Sequence, residues 1–174
     1  MNTSPNKLKP VLIAAGLMTF VSITPIVSLI NAACCAGIIL GAFVGTYIYY
    51  KDLSRVGMVI NYKDGVMIGI LAGIITAIIY TGVILLYQLF SSGNMFTEMA
   101  NDLEKLGFPL SPEFYKVIDH FSDETNKYGF SPTMTIFSLV LYLVLYPLFG
   151  SLGGLLAVTI FKKKQQPLNN DVIG

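Results

Sequence analysis

Apolar residues fill this chain in long blocks, and its polar residues gather between them. Residues 10 to 50, 65 to 97 and 128 to 161 contain no charged side chain. A helix needs about 20 apolar residues to cross a hydrocarbon layer about 30 Å thick. The blocks supply four such stretches: Pro10 to about Leu29, Ala32 to Tyr50, Gly65 to about Phe90, and Thr133 to Phe161. The last two exceed the required length; at about 1.5 Å per residue they reach on the order of 40 Å, which predicts tilt, kinking or protrusion beyond the lipid. Pro147 supplies a kink site in the fourth. Only Asn31 interrupts the apolar run between the first two stretches. One helix of that length is not expected, so Leu29 to Ala33 predicts a tight extracytoplasmic turn, with a re-entrant first segment as the rival.

Residues 91 to 132 form the sizeable polar stretch, and its pattern is helical. Phe96, Met99, Leu103 and Leu106 recur at intervals of three and four, with Asn94 placed to cap the helix and Gly107 to end it. Ser111, Pro112 and Glu113 then supply a cap, a proline at the first helical position and an acid matched to the helix dipole. Phe114, Val117, Ile118 and Phe121 mark the apolar stripe of this second helix. The two predict an amphipathic hairpin on the outer membrane face or over the bundle, broken from the fourth span by Gly129 and Pro132. Residues 165 to 174 lack apolar periodicity and predict a mobile cytoplasmic tail.

Inside the apolar blocks glycine repeats every four residues: Gly37, Gly41 and Gly45; Gly65, Gly69 and Gly73, continued by Ala77; Gly150 and Gly154. Residues four apart share a helix face. Each ladder strips that face of side chains and lets a neighbouring helix approach almost backbone to backbone, as membrane helices do when they associate. These glycines are the expected helix-packing residues.

Composition and charge sharpen the picture. Of 174 residues, 54% are hydrophobic and 12% charged, against roughly 25% charged in ordinary soluble domains. With both termini in the cytoplasm, Lys7, Lys9, Lys51, Arg55, Lys63, Lys162, Lys163 and Lys164 face inward, as the positive-inside rule requires. The remaining bases, Lys105, Lys116 and Lys127, sit in the net acidic outer segment. Tyr47, Tyr49, Tyr50 and Tyr62 collect at the inner boundary, and Tyr87, Phe90, Tyr128 and Phe130 at the outer one, in the manner of interfacial aromatic belts. Asn31, Ala32, Ala33 and Cys34 half resemble a lipoprotein processing site. Asn31 stands where an aliphatic residue belongs and another span follows at once, so the first segment is expected to be retained.

Few residues offer chemistry. Cys34 and Cys35 are neighbours, pointing about 100° apart on a helix; they read as small packing residues, with an intermolecular bridge as the alternative. His120 has Asp123 and Glu124 three and four residues on, a spacing that allows a shared face. Zinc asks for more nitrogen or sulfur ligands, and a solvated acidic face explains the trio, so no metal is expected. Asp64 reads as a cap opposing the dipole of the helix it precedes, with no evident partner. At Tyr142, Tyr146 and Pro147, the proline frees the Leu143 carbonyl. Broken backbone can line a pathway, or neighbouring helices can absorb the kink. No acid, base or histidine lies at a predicted membrane centre, which argues against proton-coupled carriers. The chain has no Walker loop, dinucleotide fingerprint, metalloprotease helix motif or paired intramembrane aspartate. It is expected to be noncatalytic and to carry no cofactor.

Parts of the chain resemble known groups. From Asp64 to Lys164, the glycine-spaced span, Met-Phe-Thr-Glu-Met at 95–99, Leu-Glu-Lys-Leu-Gly at 103–107, a Ser-Pro before the last span and a closing Lys-Lys-Lys resemble small bacterial four-span proteins described as domains of unknown function. Asn31 to Tyr50, with paired cysteines, glycines and terminal tyrosines, is similar to another uncharacterised bacterial membrane group. The resemblance implies a bacterial inner-membrane protein and carries over no functional residues. The expectation is therefore an all-α membrane protein with four transmembrane helices and an extracytoplasmic amphipathic helical hairpin between spans three and four. It would act as a structural or interaction component, with the lipid bilayer and a second copy or another membrane protein as partners, and no nucleic acid. A small channel or transporter subunit is the alternative.

Overall fold

The computed structural model describes residues 5–24, 35–90, 95–107 and 111–165, and every element within them is a helix. In chain order these are α1 (Leu8–Ile23), α2 (Ala36–Arg55), α3 (Tyr62–Phe90), α4 (Met95–Lys105), α5 (Pro112–Tyr128) and α6 (Pro132–Gln165). Two of them, α3 and α6, are long and apolar enough to cross a membrane, and α1 is a shorter apolar helix.

The boundaries differ from the sequence pattern in ways that local chemistry explains. α1 has 16 residues and stops at Ile23, where Thr24 turns extended at ψ 115°. Thr24 precedes Pro25, whose ring crowds helical backbone in the residue before it. The turn expected at Leu29 to Ala33 lies outside the described residues, as do Cys34, Asn94 and residues 166–174, and the side chains of Phe96 and Met99. α2 begins at Ala36, after Cys35 in left-handed backbone (φ 55°, ψ 31°), and runs past Tyr50 to Arg55. Its last turns carry Lys51, Asp52 and Arg55, so the uncharged part of the described helix is Ala36–Tyr50. α6 continues through Lys162–Lys164 to Gln165, which places Gln165 in the helix and not in the tail.

Two compact units follow from these helices, Met1–Tyr80 with Tyr142–Gly174, and Thr81–Leu141. In the first, α1, α2, the start of α3 and the end of α6 enclose one core, to which Met18, Ile38, Ile68 and Val158 each contribute a buried side chain. Tyr49 is also buried there, so it serves the core and not the inner aromatic belt. In the second unit, Ala100 of α4 and Ile118 of α5 meet in a small cluster against which Phe121 and Met134 pack. α5 starts as its pattern predicts, with the Ser111 side chain accepting the Phe114 N–H at 3.3 Å and Pro112 in the first turn. Gly129 ends it at φ 80°, and Gly107 follows α4 at the same φ of 80°, a conformation that costs glycine little.

Candidate functional site

The glycine ladders lie at the helix contacts of the first unit. On α3, a Cβ built at Gly65 would fall 2.5 Å from the Gly154 carbonyl oxygen, and one at Gly73 would fall 2.5 Å from the Pro147 nitrogen. Between them, a Cβ at Gly69 or at Gly150 would strike the other residue's carbonyl. The order 65 to 154, 69 to 150 and 73 to 147 makes α3 and α6 antiparallel. On α2, Gly41 faces Met18 and Gly45 faces Ala14 and Pro10 of α1: a Cβ built at Gly41 would fall 2.6 Å from Met18 Cγ, and one at Gly45 would fall 2.6 Å from Ala14 Cβ. Gly153 faces the Ile39 carbonyl, which brings α6 against α2. Gly37 is buried and lines a small apolar groove with Leu17, Val21 and Leu40. Such contacts work through close dispersion packing, the interaction left to helices when the surroundings are as apolar as the side chains.

One end of this unit is basic and polar, and it is tied together by long-range contacts. Lys7 Nζ lies 2.7 Å from Asp64 Oδ1 and 5.6 Å from the centre of the Tyr49 ring. Asp64 lies in the first turn of α3 and not before the helix, and it accepts the Asn61 N–H at 3.1 Å, the acid's half of a capping box. Its partner Lys7 was not evident from local sequence, because it sits on another helix. The hydrogen bond to Asp64 holds the Lys7 ammonium above its usual pKa, with burial opposing more weakly. Gln165 spans the same end: its Oε1 accepts the Ile60 N–H at 2.9 Å, and its Nε2 donates to Ser54 Oγ at 3.0 Å and to the Met58 carbonyl at 3.2 Å. Phe161 stacks on Tyr50 at 4.8 Å and tilts against Tyr47 at 5.2 Å.

Toward the other end, Tyr80, Tyr142 and Tyr146 form an aromatic cluster with centroids 5.1 Å apart for Tyr80 and Tyr142 and 5.2 Å for Tyr142 and Tyr146. Tyr146 donates to Ser22 Oγ at 3.4 Å, and Ser22 donates to the Met18 carbonyl at 2.9 Å. Pro147 sits within the continuous α6, and Gly73 backs directly onto it. The proline site is thereby filled by a neighbouring helix.

In the second unit, Glu124 organises the start of α6. Ser131 Oγ donates to its Oε2 at 2.6 Å, Thr133 N–H donates to the same oxygen at 3.1 Å, and Thr133 Oγ1 donates to Oε1 at 2.5 Å. Ser131 in turn accepts the Met134 N–H at 3.2 Å. Ser131 and Pro132 thus repeat the start signal of Ser111 and Pro112, and Pro132 opens α6 where the sequence pattern reads it as a break. The hydrogen bonds from Ser131 and then Thr133 hold the Glu124 carboxyl below its usual pKa. His120 Nε2 lies 3.4 Å from Glu124 Oε1. Among the described residues no group of three or more His, Cys, Asp or Glu side chains converges on a metal position. Beside this corner, α5 and the first turns of α6 border an apolar groove of about 440 Å³ lined by Phe114, Val117, Ile118, Phe121, Thr133, Met134 and Phe137.

The chain matches no family model, no curated protein and no solved structure.

Proposed function

We propose that this protein is a multi-pass component of a bacterial inner membrane, with four spans and both termini cytoplasmic, that acts as a noncatalytic structural or interaction protein. The observation that carries this reading is the backbone contact between Gly69 and Gly150, repeated in kind at Gly45 and Pro10. α3 and α6 have the length and apolarity of spans. α1 and α2 share their core, and helices that share a core along their length lie at one depth in the bilayer. Lys7, Lys63, Arg55 and Lys162–Lys164 gather at the end of this unit where Lys7 meets Asp64, which supports a cytoplasmic assignment for that end. Gly41, Gly45, Gly65, Gly69, Gly73, Gly150 and Gly154 are occupied within the chain, which favours other surfaces for contacts with partners. The outer segment, α4 and α5, folded as a hairpin, is the surface we assign to that role.

Labelling of single cysteines at Arg55 and Glu113, in a Cys34→Ser, Cys35→Ser chain, tests the topology in intact cells. Opposite accessibility is expected, and equal accessibility would overturn the four-span reading.

A channel or transporter subunit is the second reading, and the Tyr80–Tyr142–Tyr146 cluster beside Pro147 favours it. Purified protein in liposomes would then produce a flux sensitive to Tyr146→Phe or Pro147→Ala. No flux of ions or common metabolites would leave the noncatalytic component as the function.

A further inference from the structure

The groove between α5 and the first turns of α6 has the size of a ligand site, about 440 Å³ against roughly 300–1,000 Å³ for small-molecule pockets. Its chemistry is one-sided. Six of its seven lining residues are apolar. The seventh, Thr133, spends both its N–H and its hydroxyl on Glu124. The wall therefore offers a polar ligand no free side-chain donor, and water within it would lie against unrelieved apolar surface.

On the membrane reading given above, we propose that this groove takes a phospholipid acyl chain, with α5 lying in the leaflet that surrounds the start of α6. What points to lipid is continuity. Phe137, a wall of the groove, is 62% exposed, and beside it on α6 Ile136 and Val140 are 64% and 57% exposed. These residues belong to a helix of membrane-spanning length and apolarity, so the groove opens on the flank that lipid tails already cover. α5 is oriented to match. Phe114, Val117 and Phe121 face the groove, while Lys116, Asp119, Asp123 and Lys127 stand exposed elsewhere on the helix. At the helical repeat of about 100° per residue, those four fall on the opposite side, the arrangement of a helix lying in an interface. With Glu113 and Glu124, α5 carries four acidic side chains against two lysines, so headgroup charge gives this helix no attraction to anionic lipid and the acyl chain supplies it.

The chain contains no tryptophan, so one introduced residue reports alone. Full-length variants Val117→Trp, Phe137→Trp, Asp123→Trp and Leu148→Trp are reconstituted in phosphatidylcholine vesicles with and without bromine on the acyl chains. Val117→Trp and Phe137→Trp are expected to be quenched several-fold more than Asp123→Trp, and equally so when anionic lipid is added. Phe137→Trp exchanges one ring for another and keeps the test open if the Val117 variant fails to accumulate. Quenching of Leu148→Trp without quenching at positions 117 and 137 overturns the groove assignment alone. Absence of quenching at Leu148→Trp overturns the membrane reading and the groove with it. Emission from Val117→Trp that ignores bromine but shifts on detergent dilution would assign the groove to a second copy of the chain, against the proposal.

Discussion

Gly69 and Gly150 meet across α3 and α6 with no side chain between them, each lying where a Cβ on the other would enter its carbonyl group. The atoms that would be struck are backbone, which cannot turn aside as a flexible side chain can. Gly69→Ala and Gly150→Ala are each expected to lose about 1–3 kcal/mol through overpacking, outweighing the roughly 0.5–1 kcal/mol that alanine gains in a helix. Gly41→Ala should cost less, because the nearest atom there is Met18 Cγ. Gly16 has nothing within 4 Å, so Gly16→Ala should be neutral or stabilising. Thermal unfolding in one detergent ranks the four variants, and an equal loss at Gly16 and Gly69 would refute the packing account.

The Lys7–Asp64 pair links the start of α1 to the start of α3, and both side chains are partly shielded, at 30% and 16% exposure. Lys7→Met should cost on the order of 1 kcal/mol, the upper end for such pairs. Asp64→Asn should cost more, since the Asn61 cap weakens as well. The folded state binds the Lys7 proton more tightly than the unfolded chain does. Its contribution is therefore full below the unfolded value of about 10.4 and fades as pH rises through the folded one. Unfolding of the native chain followed from pH 9 upward should steepen above about pH 10, and Lys7→Met should remove that part of the slope.

Gln165 supplies the hydrogen-bond partner of the Ile60 N–H, and Ile60 is fully buried. Gln165→Ala leaves that donor unpaired, at a cost of about 1–3 kcal/mol. Hydrogen exchange should accelerate at Ile60 and in the 56–61 connection, whereas a variant at the exposed Lys164 should change neither.

Glu124 holds the first turn of α6 through Ser131 and Thr133. Its folded pKa is depressed by those bonds, so its contribution is present above the unfolded value of about 4.3 and is lost as pH falls through the folded one. Protection of the Thr133 and Met134 amides, taken against their intrinsic exchange rates at each pH, should fall on acidification below about pH 4. Glu124→Ala should give the faster rate already at neutral pH. Unchanged rates in that variant would show that Ser131 alone caps the helix.

Local features were legible in the residues. The spacing of Phe114, Val117, Ile118 and Phe121 announced α5, Ser111 and Pro112 its start, and Gly129 its end, because periodicity and capping act over a few neighbouring residues. The uncharged blocks announced α3 and α6 for the same reason. Pro25 is equally local, and the α1 helix ends at Ile23, short of the Leu29 that apolar length alone predicts.

A glycine ladder declares that one helix face is bare, but it does not name what will lie against it. That Gly69 meets Gly150, that Gly45 meets Pro10 and Ala14, and that Asp64 finds Lys7 are pairings between distant segments. The same holds for Tyr49, which leaves the aromatic belt for the core, and for Gln165, which leaves the tail to satisfy Ile60. Each depends on how the helices are turned about their axes when they dock. That rotation is chosen by the sum of many close contacts at once, and no short stretch of residues contains it.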